Sequence, residues 1–148
     1  MSFVYVTYIY TTPQKVWDAI TKPEFTRAYW LHYNVSDWKQ GSGWEHQHGD
    51  GSGKVLIKGK VLEANPPRRL VMTWARPDDS KQASRVSFDI ADYKPGMVCL
   101  TVTHDQLEAD PDMAKSVSGG WPKVLSNLKS LLETGKVETI WLTEGKKG

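Results

Sequence analysis

The feature that most constrains this chain is a change of apolar period near residue 112. Upstream lie short segments in which apolar and polar residues alternate, the signature of half-buried strands. Downstream, Met113, Val117, Trp121, Val124 or Leu125, Leu128 and Leu131 or Leu132 recur every three to four residues as one stripe. The spacing predicts a helix over 112–134, with Gly135 placed to end it. A sheet with one apolar face needs a cover, and only this helix is long enough to supply it.

The rest of the chain falls into place around that pair. Residues 3–10, β-branched and aromatic almost throughout, read as a strand. Thr12 is placed to cap a helix over 13–20, with Pro13 at its first position, where the missing N–H costs nothing. Val16, Trp17 and Ile20 share one side of it, and Trp17 is expected in the core. A second short helix starts at Pro23 and carries Phe25, Tyr29 and Trp30. Strands are expected at 33–38, 44–48, 54–64, 69–75, 83–93 and 97–104, each between Gly-, Pro- or Asp-rich turns. Leu70, Met72 and Trp74 form one period-two set; Val86, Phe88 and Ile90 a second; Val98, Leu100, Val102 and His104 a third. The expected fold is α+β: a curved antiparallel sheet of seven strands, two short helices after the first strand, and the long C-terminal helix across the concave face. One domain over 1–148 is expected, with a core of about 3–135 and a tail of 136–148. Gly119, Gly120 and Pro122 inside the long helix predict a kink or a close approach to the sheet.

Composition excludes several classes. Nineteen basic and 17 acidic residues give a net charge of +2, with no Lys/Arg cluster of the kind that binds nucleic acid. No apolar run reaches the roughly 20 residues of a membrane span. One cysteine, Cys99, allows no internal disulfide, and the first residues carry no secretory pattern, so a reducing cytoplasm is expected. Seven Trp and six Tyr suit a wide core or the walls of a pocket.

Four segments carry a resemblance. They are residues 12–24 (TPQKVWDAITKPE), Gly59-Lys60-Val61-Leu62-Glu63, residues 66–74 (PPRRLVMTW), and Gly119-Gly120-Trp121 leading to Leu128 and Leu131-Leu132-Glu133. In order and spacing this resembles the START/SRPBCC superfamily, and within it the AHSA-type branch named for the activator of heat-shock-protein-ninety ATPase. The resemblance spans about 3–135. It implies a helix-grip (Bet v-like) fold with a pocket between sheet and long helix. It implies no single activity, since relatives include lipid and polyketide binders, cyclases and chaperone co-factors.

Candidate chemistry is sparse. His104 continues the Val98, Leu100, Val102 alternation and so faces inward, at the expected mouth of the pocket, where it could orient a ligand or act as acid or base. The bland alternative is a histidine that caps the strand end. Trp30, Trp44, Trp74, Phe88, Val102, Trp121 and Leu125 are the other expected pocket-lining residues, against the alternative of ordinary core. His46 and His48, near Asp50 and with His32 on another element, could suggest a metal, but they read better as polar strand residues in water, and no metal or cofactor is expected. Cys99 has the opposite parity to His104 and faces away. No phosphate loop or nucleophile elbow is visible. The favoured function is a binding domain for a small hydrophobic molecule (lipid-, aromatic- or polyketide-like). The alternatives are a cyclase- or hydrolase-type enzyme on the same pocket, and a chaperone-associated or regulatory interaction protein. A homodimer is compatible with the sequence, which marks no seam for it.

Overall fold

The chain's structure, a computed structural model, describes residues 2–78, 83–108 and 110–137. The end of the expected tail and part of the 77–80 turn lie outside those residues. The elements in order are β1 (Ser2–Ile9), α1 (Pro13–Thr21), α2 (Pro23–Trp30), β2 (Tyr33–Ser36), β3 (Gly43–Gln47), β4 (Val55–Asn65), β5 (Arg69–Trp74), β6 (Ser84–Lys94), β7 (Met97–Asp105) and α3 (Pro111–Thr134). The expected helix-grip arrangement is what forms.

All seven strands join one antiparallel sheet in the order β1-β7-β6-β5-β4-β3-β2. Strands β2 to β7 follow as hairpin neighbours, while α1 and α2 carry the chain from the β1 edge to the β2 edge. Register shifts in β3, β4 and β6 bend the sheet. Gly59 serves a close approach, because a Cβ there would sit 2.0 Å from the Thr73 carbonyl oxygen. That same oxygen accepts the Trp44 indole N–H at 2.7 Å.

Thr12 and Gly135 cap their helices as the sequence predicts, and Asp110 adds a cap it did not. The Thr12 hydroxyl accepts the Lys15 N–H at 3.3 Å, with Pro13 at the first helical position. Asp110 caps α3 by accepting the Met113 N–H at 3.0 Å, and its carboxylate also pairs with Arg76. Gly135, at φ 78°, closes the far end and donates its N–H to Leu131.

The concave face is the inward parity of three strands: Leu70, Met72 and Trp74; Val86, Phe88 and Ile90; Val98, Leu100, Val102 and His104. Across the strands Leu70 sits opposite Phe88, which faces Val102, while Val86 faces His104. Onto this surface α3 lays Met113, Val117, Trp121, Val124, Leu125 and Leu128, all buried. Trp17 joins the same core from α1. Gly119 and Gly120 bring no close approach, since a Cβ on either would meet nothing within 4 Å. No helix among the described residues is long and apolar enough to cross a membrane.

Candidate functional site

Three indoles meet where the first half of α3 crosses the end of α2 and the tip of β5. Trp30 and Trp74 stack with ring centroids 6.2 Å apart, and Trp121 tilts against both, at 5.3 and 5.7 Å. Between them and α3 lies a cleft of about 130 Å³, lined by Trp30, Trp74, Ser116, Val117, Gly120, Trp121 and Val124. The other expected wall residues are buried without lining it. Trp44 lies behind Trp74, at 5.5 Å, and Phe88 meets Trp121 edge-on at 5.9 Å. Val102 and Leu125 are core residues beneath. The space under α3 is therefore largely occupied by rings. The larger hollows open elsewhere: one of about 490 Å³ between the β1–α1 connection and the β6–β7 hairpin, others over the outward side of β4.

His104 faces inward, as its parity predicts, but it is wholly buried and stands at no mouth. Its hydrogen bonds fix its tautomer. An indole N–H can only donate, and Trp121 Nε1 points at His104 Nδ1 at 3.1 Å, so Nδ1 is the acceptor. The proton then sits on Nε2, which donates to the Ser84 hydroxyl at 2.7 Å. Ser84 passes its own proton to the Trp74 carbonyl oxygen at 3.1 Å. This chain runs from α3 across β7 and β6 to β5, and every donor in it has an acceptor. Burial pushes the His104 imidazole down to about 4, against a small opposing pull from the Asp105 carboxylate. Asp105 is itself held low by the Arg85 guanidinium, 2.8 Å away. A proton on Nδ1 would face the indole N–H head-on, so the neutral ring is the form the geometry holds.

A second polar group lies on the far side of Trp30. His46 and His32 are both buried, with ring centroids 4.7 Å apart, and His48 meets His32 edge-on at 5.8 Å. His46 Nδ1 lies 2.6 Å from Asn34 Oδ1, which accepts its proton, and the His46 ring is 4.9 Å from Trp30. Asn34 is wholly buried, and its Nδ2 has no hydrogen-bond partner among the described residues. The expectation of strand imidazoles in water thus fails for His46, which is buried, and His32 is buried beside it. Among the described residues no three His, Cys, Asp or Glu side chains are placed to hold a metal. Cys99 is half-buried on the outward parity of β7, opposite Tyr8.

Sequence reasoning missed Ser84 and the burial of His46, yet a signal existed for both. Ser84 shares the parity of Val86, Phe88 and Ile90, and His46 that of Trp44. Polar residues on an apolar parity are the ones that must find partners.

Against known proteins, residues 10–133 match the family model described as "Activator of Hsp90 ATPase homolog 1-like protein". The chain belongs to this family. No curated protein sequence matches this AHSA1-family chain. Among solved structures, the Aha1 dimer from Colwellia psychrerythraea superposes with a TM-score of 0.77 at 20% identity, over 92% of this chain and 98% of that one. An HSP90 activator from Plasmodium falciparum gives 0.74 at 24% identity, over 89% and 96%. A Cytophaga hutchinsonii protein gives 0.68 at 28% identity, over 89% and 93%. The first two likenesses speak to the AHSA1 fold alone.

Proposed function

We propose that this AHSA1-family domain binds a small, flat, apolar molecule about the size of one ring, seated in the cleft between α3 and the Trp30–Trp74 pair. The observation that carries the reading is Gly120. A glycine inside a helix costs about 1 kcal/mol relative to alanine, and here no neighbour requires it, since a Cβ would meet nothing within 4 Å. It does line the cleft, and a side chain there would take up part of the space. The volume favours a single ring over a lipid: about 130 Å³ is close to the ~150 Å³ of a cavity that takes benzene and well below the ~300 Å³ at which drug-sized pockets begin. Trp30, Trp74 and Trp121 are the contacts, with Val117 and Val124 closing the sides. Trp44, Phe88, Val102, Leu125 and His104 support that wall from behind, His104 by holding Trp121 in place.

The test is a titration of intrinsic fluorescence with toluene and benzyl alcohol, with a long-chain fatty acid as comparison. The ring compounds should give a saturable change and the fatty acid none. A flat trace for both rings would end the proposal.

An enzyme of the cyclase or hydrolase kind needs a second acid or base beside His104, and the groups found there are Ser84 and Trp121. The interaction-protein reading has a specific observation in its favour, the exposed apolar side of β1. It accords with relatives described as an HSP90 activator and as a dimer, and we extend it to a homodimer of this chain. A reducing cytoplasm suits the free Cys99.

A further inference from the structure

The sheet has two edges, and they are finished differently. At one edge β2 is only four residues long. At the other, β1 runs eight residues against β7 with no register shift. Residues 2–12 contain no charge and no proline, the usual devices that keep an edge from pairing.

The orientation of the β1 backbone can be read from α3. Lys129 Nζ donates to the Tyr8 carbonyl oxygen, and the Tyr10 N–H donates to Glu133 at 2.9 Å. Even-numbered residues thus turn their N–H and C=O groups away from β7, toward what is, among the described residues, the outer edge of the sheet. Lys129 and Glu133, themselves paired at 2.7 Å, guard the edge at Tyr8 and Tyr10. Both contacts lie at the Tyr8–Tyr10 end, away from Ser2, Val4 and Val6. The side chains of Val4, Val6 and Tyr8 stand exposed on the convex face, beside exposed Tyr10 and Tyr93. Their β7 neighbours are Thr103, Thr101 and Cys99, so this strip is uncharged across two strands. Of the ion pairs of the convex face, Glu63–Arg69–Asp89 and Arg68–Asp92 lie away from the strip, while Arg85–Asp105 borders its Ser2 end, where charge is already matched within the chain.

We propose that the open half of the β1 edge pairs antiparallel with the same segment of a second copy, about a two-fold axis at Val4. This rests on the homodimer reading above and says where the seam is. An uncharged edge is its own best complement, because a charged partner would lose hydration and gain no counter-charge. Antiparallel pairing is isologous, so each copy satisfies the other's N–H and C=O groups. Ser2 then lies opposite the partner's Val6, and Val4 opposite the partner's Val4. The Lys129–Glu133 guard limits the overlap to residues 2–6. Five residues a side is little beside the roughly 800 Å² per partner of a standing dimer, so the dimer forms in a concentration-dependent way.

Sedimentation over a concentration series tests this with four variants. The wild-type chain should shift toward twice the single-chain mass as concentration rises. Val4→Pro removes an N–H that faces the free edge and leaves the β7 ladder intact, and it should abolish the shift. Val4→Lys and Val4→Glu each place like charges opposite one another and should weaken association by about tenfold or more. An equimolar mixture of those two should restore it. Near-UV circular dichroism of each variant monitors folding. A wild type that keeps single-chain mass throughout overturns both the seam and the homodimer. A dimer indifferent to all three single variants, or to mixing, overturns the seam alone. The fourth variant, a chain lacking residues 138–148, should dimerise as the wild type does; one that dimerises where the wild type does not would show those residues to hold the edge, and would also overturn the proposal.

Discussion

The two halves of α3 lie on one sheet and are built to different ends. From Val124 onward the helix is a seal: Leu125 and Leu128 are buried, Asn127 donates to the Tyr29 carbonyl oxygen at 3.4 Å, and Lys129 and Glu133 fasten to β1. Before Val124 it is loosened. Gly119 and Gly120 carry no side chain, and Pro122 offers no N–H to the carbonyl one turn back. Met113, Val117 and Trp121 are buried here too, and this half is pinned besides by Arg76 on Asp110, the Trp74 indole on Met113 sulfur at 3.3 Å, and Trp121 on His104. A helix designed only to cover a sheet would use alanine or leucine throughout. The contrast shows helix propensity surrendered in one place, beside the cleft under α3.

Three changes would break or sharpen that contrast. Leu128→Ala removes a fully buried side chain from the sealed half and should cost about 2–5 kcal/mol, read as a fall in the midpoint of urea unfolding. The second is acidification, which acts on the loosened half. His104 is held neutral in the folded chain, with its ionisation moved from near 6.5 to about 4. The unfolded chain therefore binds a proton that the folded chain refuses, and stability falls as pH drops from about 6.5 to about 4, by about 3 kcal/mol in all. His104→Gln, which can accept from Trp121 and donate to Ser84, should lose that segment of the pH profile while keeping most of the stability at neutral pH. An unchanged profile in the variant would remove His104 from the account. The smallest effect is the most telling. Gly120→Ala should raise stability by up to about 1 kcal/mol and abolish the toluene response in fluorescence. If both stability and binding rise, Gly120 is not what keeps the cleft open.

Period and parity made much of this legible in the sequence. The switch from alternation to a helical stripe at Met113 foretells a sheet with one cover. Alternation alone places His104 on the concave side, and it would have placed Ser84 there too. Which nitrogen His104 uses is beyond any linear pattern, because Trp121 and Ser84 reach it from two other elements. The same holds for His32 and His46, whose rings meet only because α2 ends in a left-handed residue, Leu31 at φ 69°, next to the strand that β3 pairs with. The size of the cleft was hidden for a third reason. Seven tryptophans fit a roomy interior and a crowded one equally well, and only the packing angles decide between them. Gly119-Gly120 reads in the sequence as a close approach and in the structure as vacant room, since glycine serves both.

The Trp30–Trp74–Trp121 triangle has an optical consequence. With centroids 5.3 to 6.2 Å apart, the three indoles pass excitation among themselves faster than they emit. Together with Trp44, 5.5 Å from Trp74, they act as one antenna, so a molecule that touches a single ring dims or shifts the light of all four, and the cleft carries its own reporter without any label.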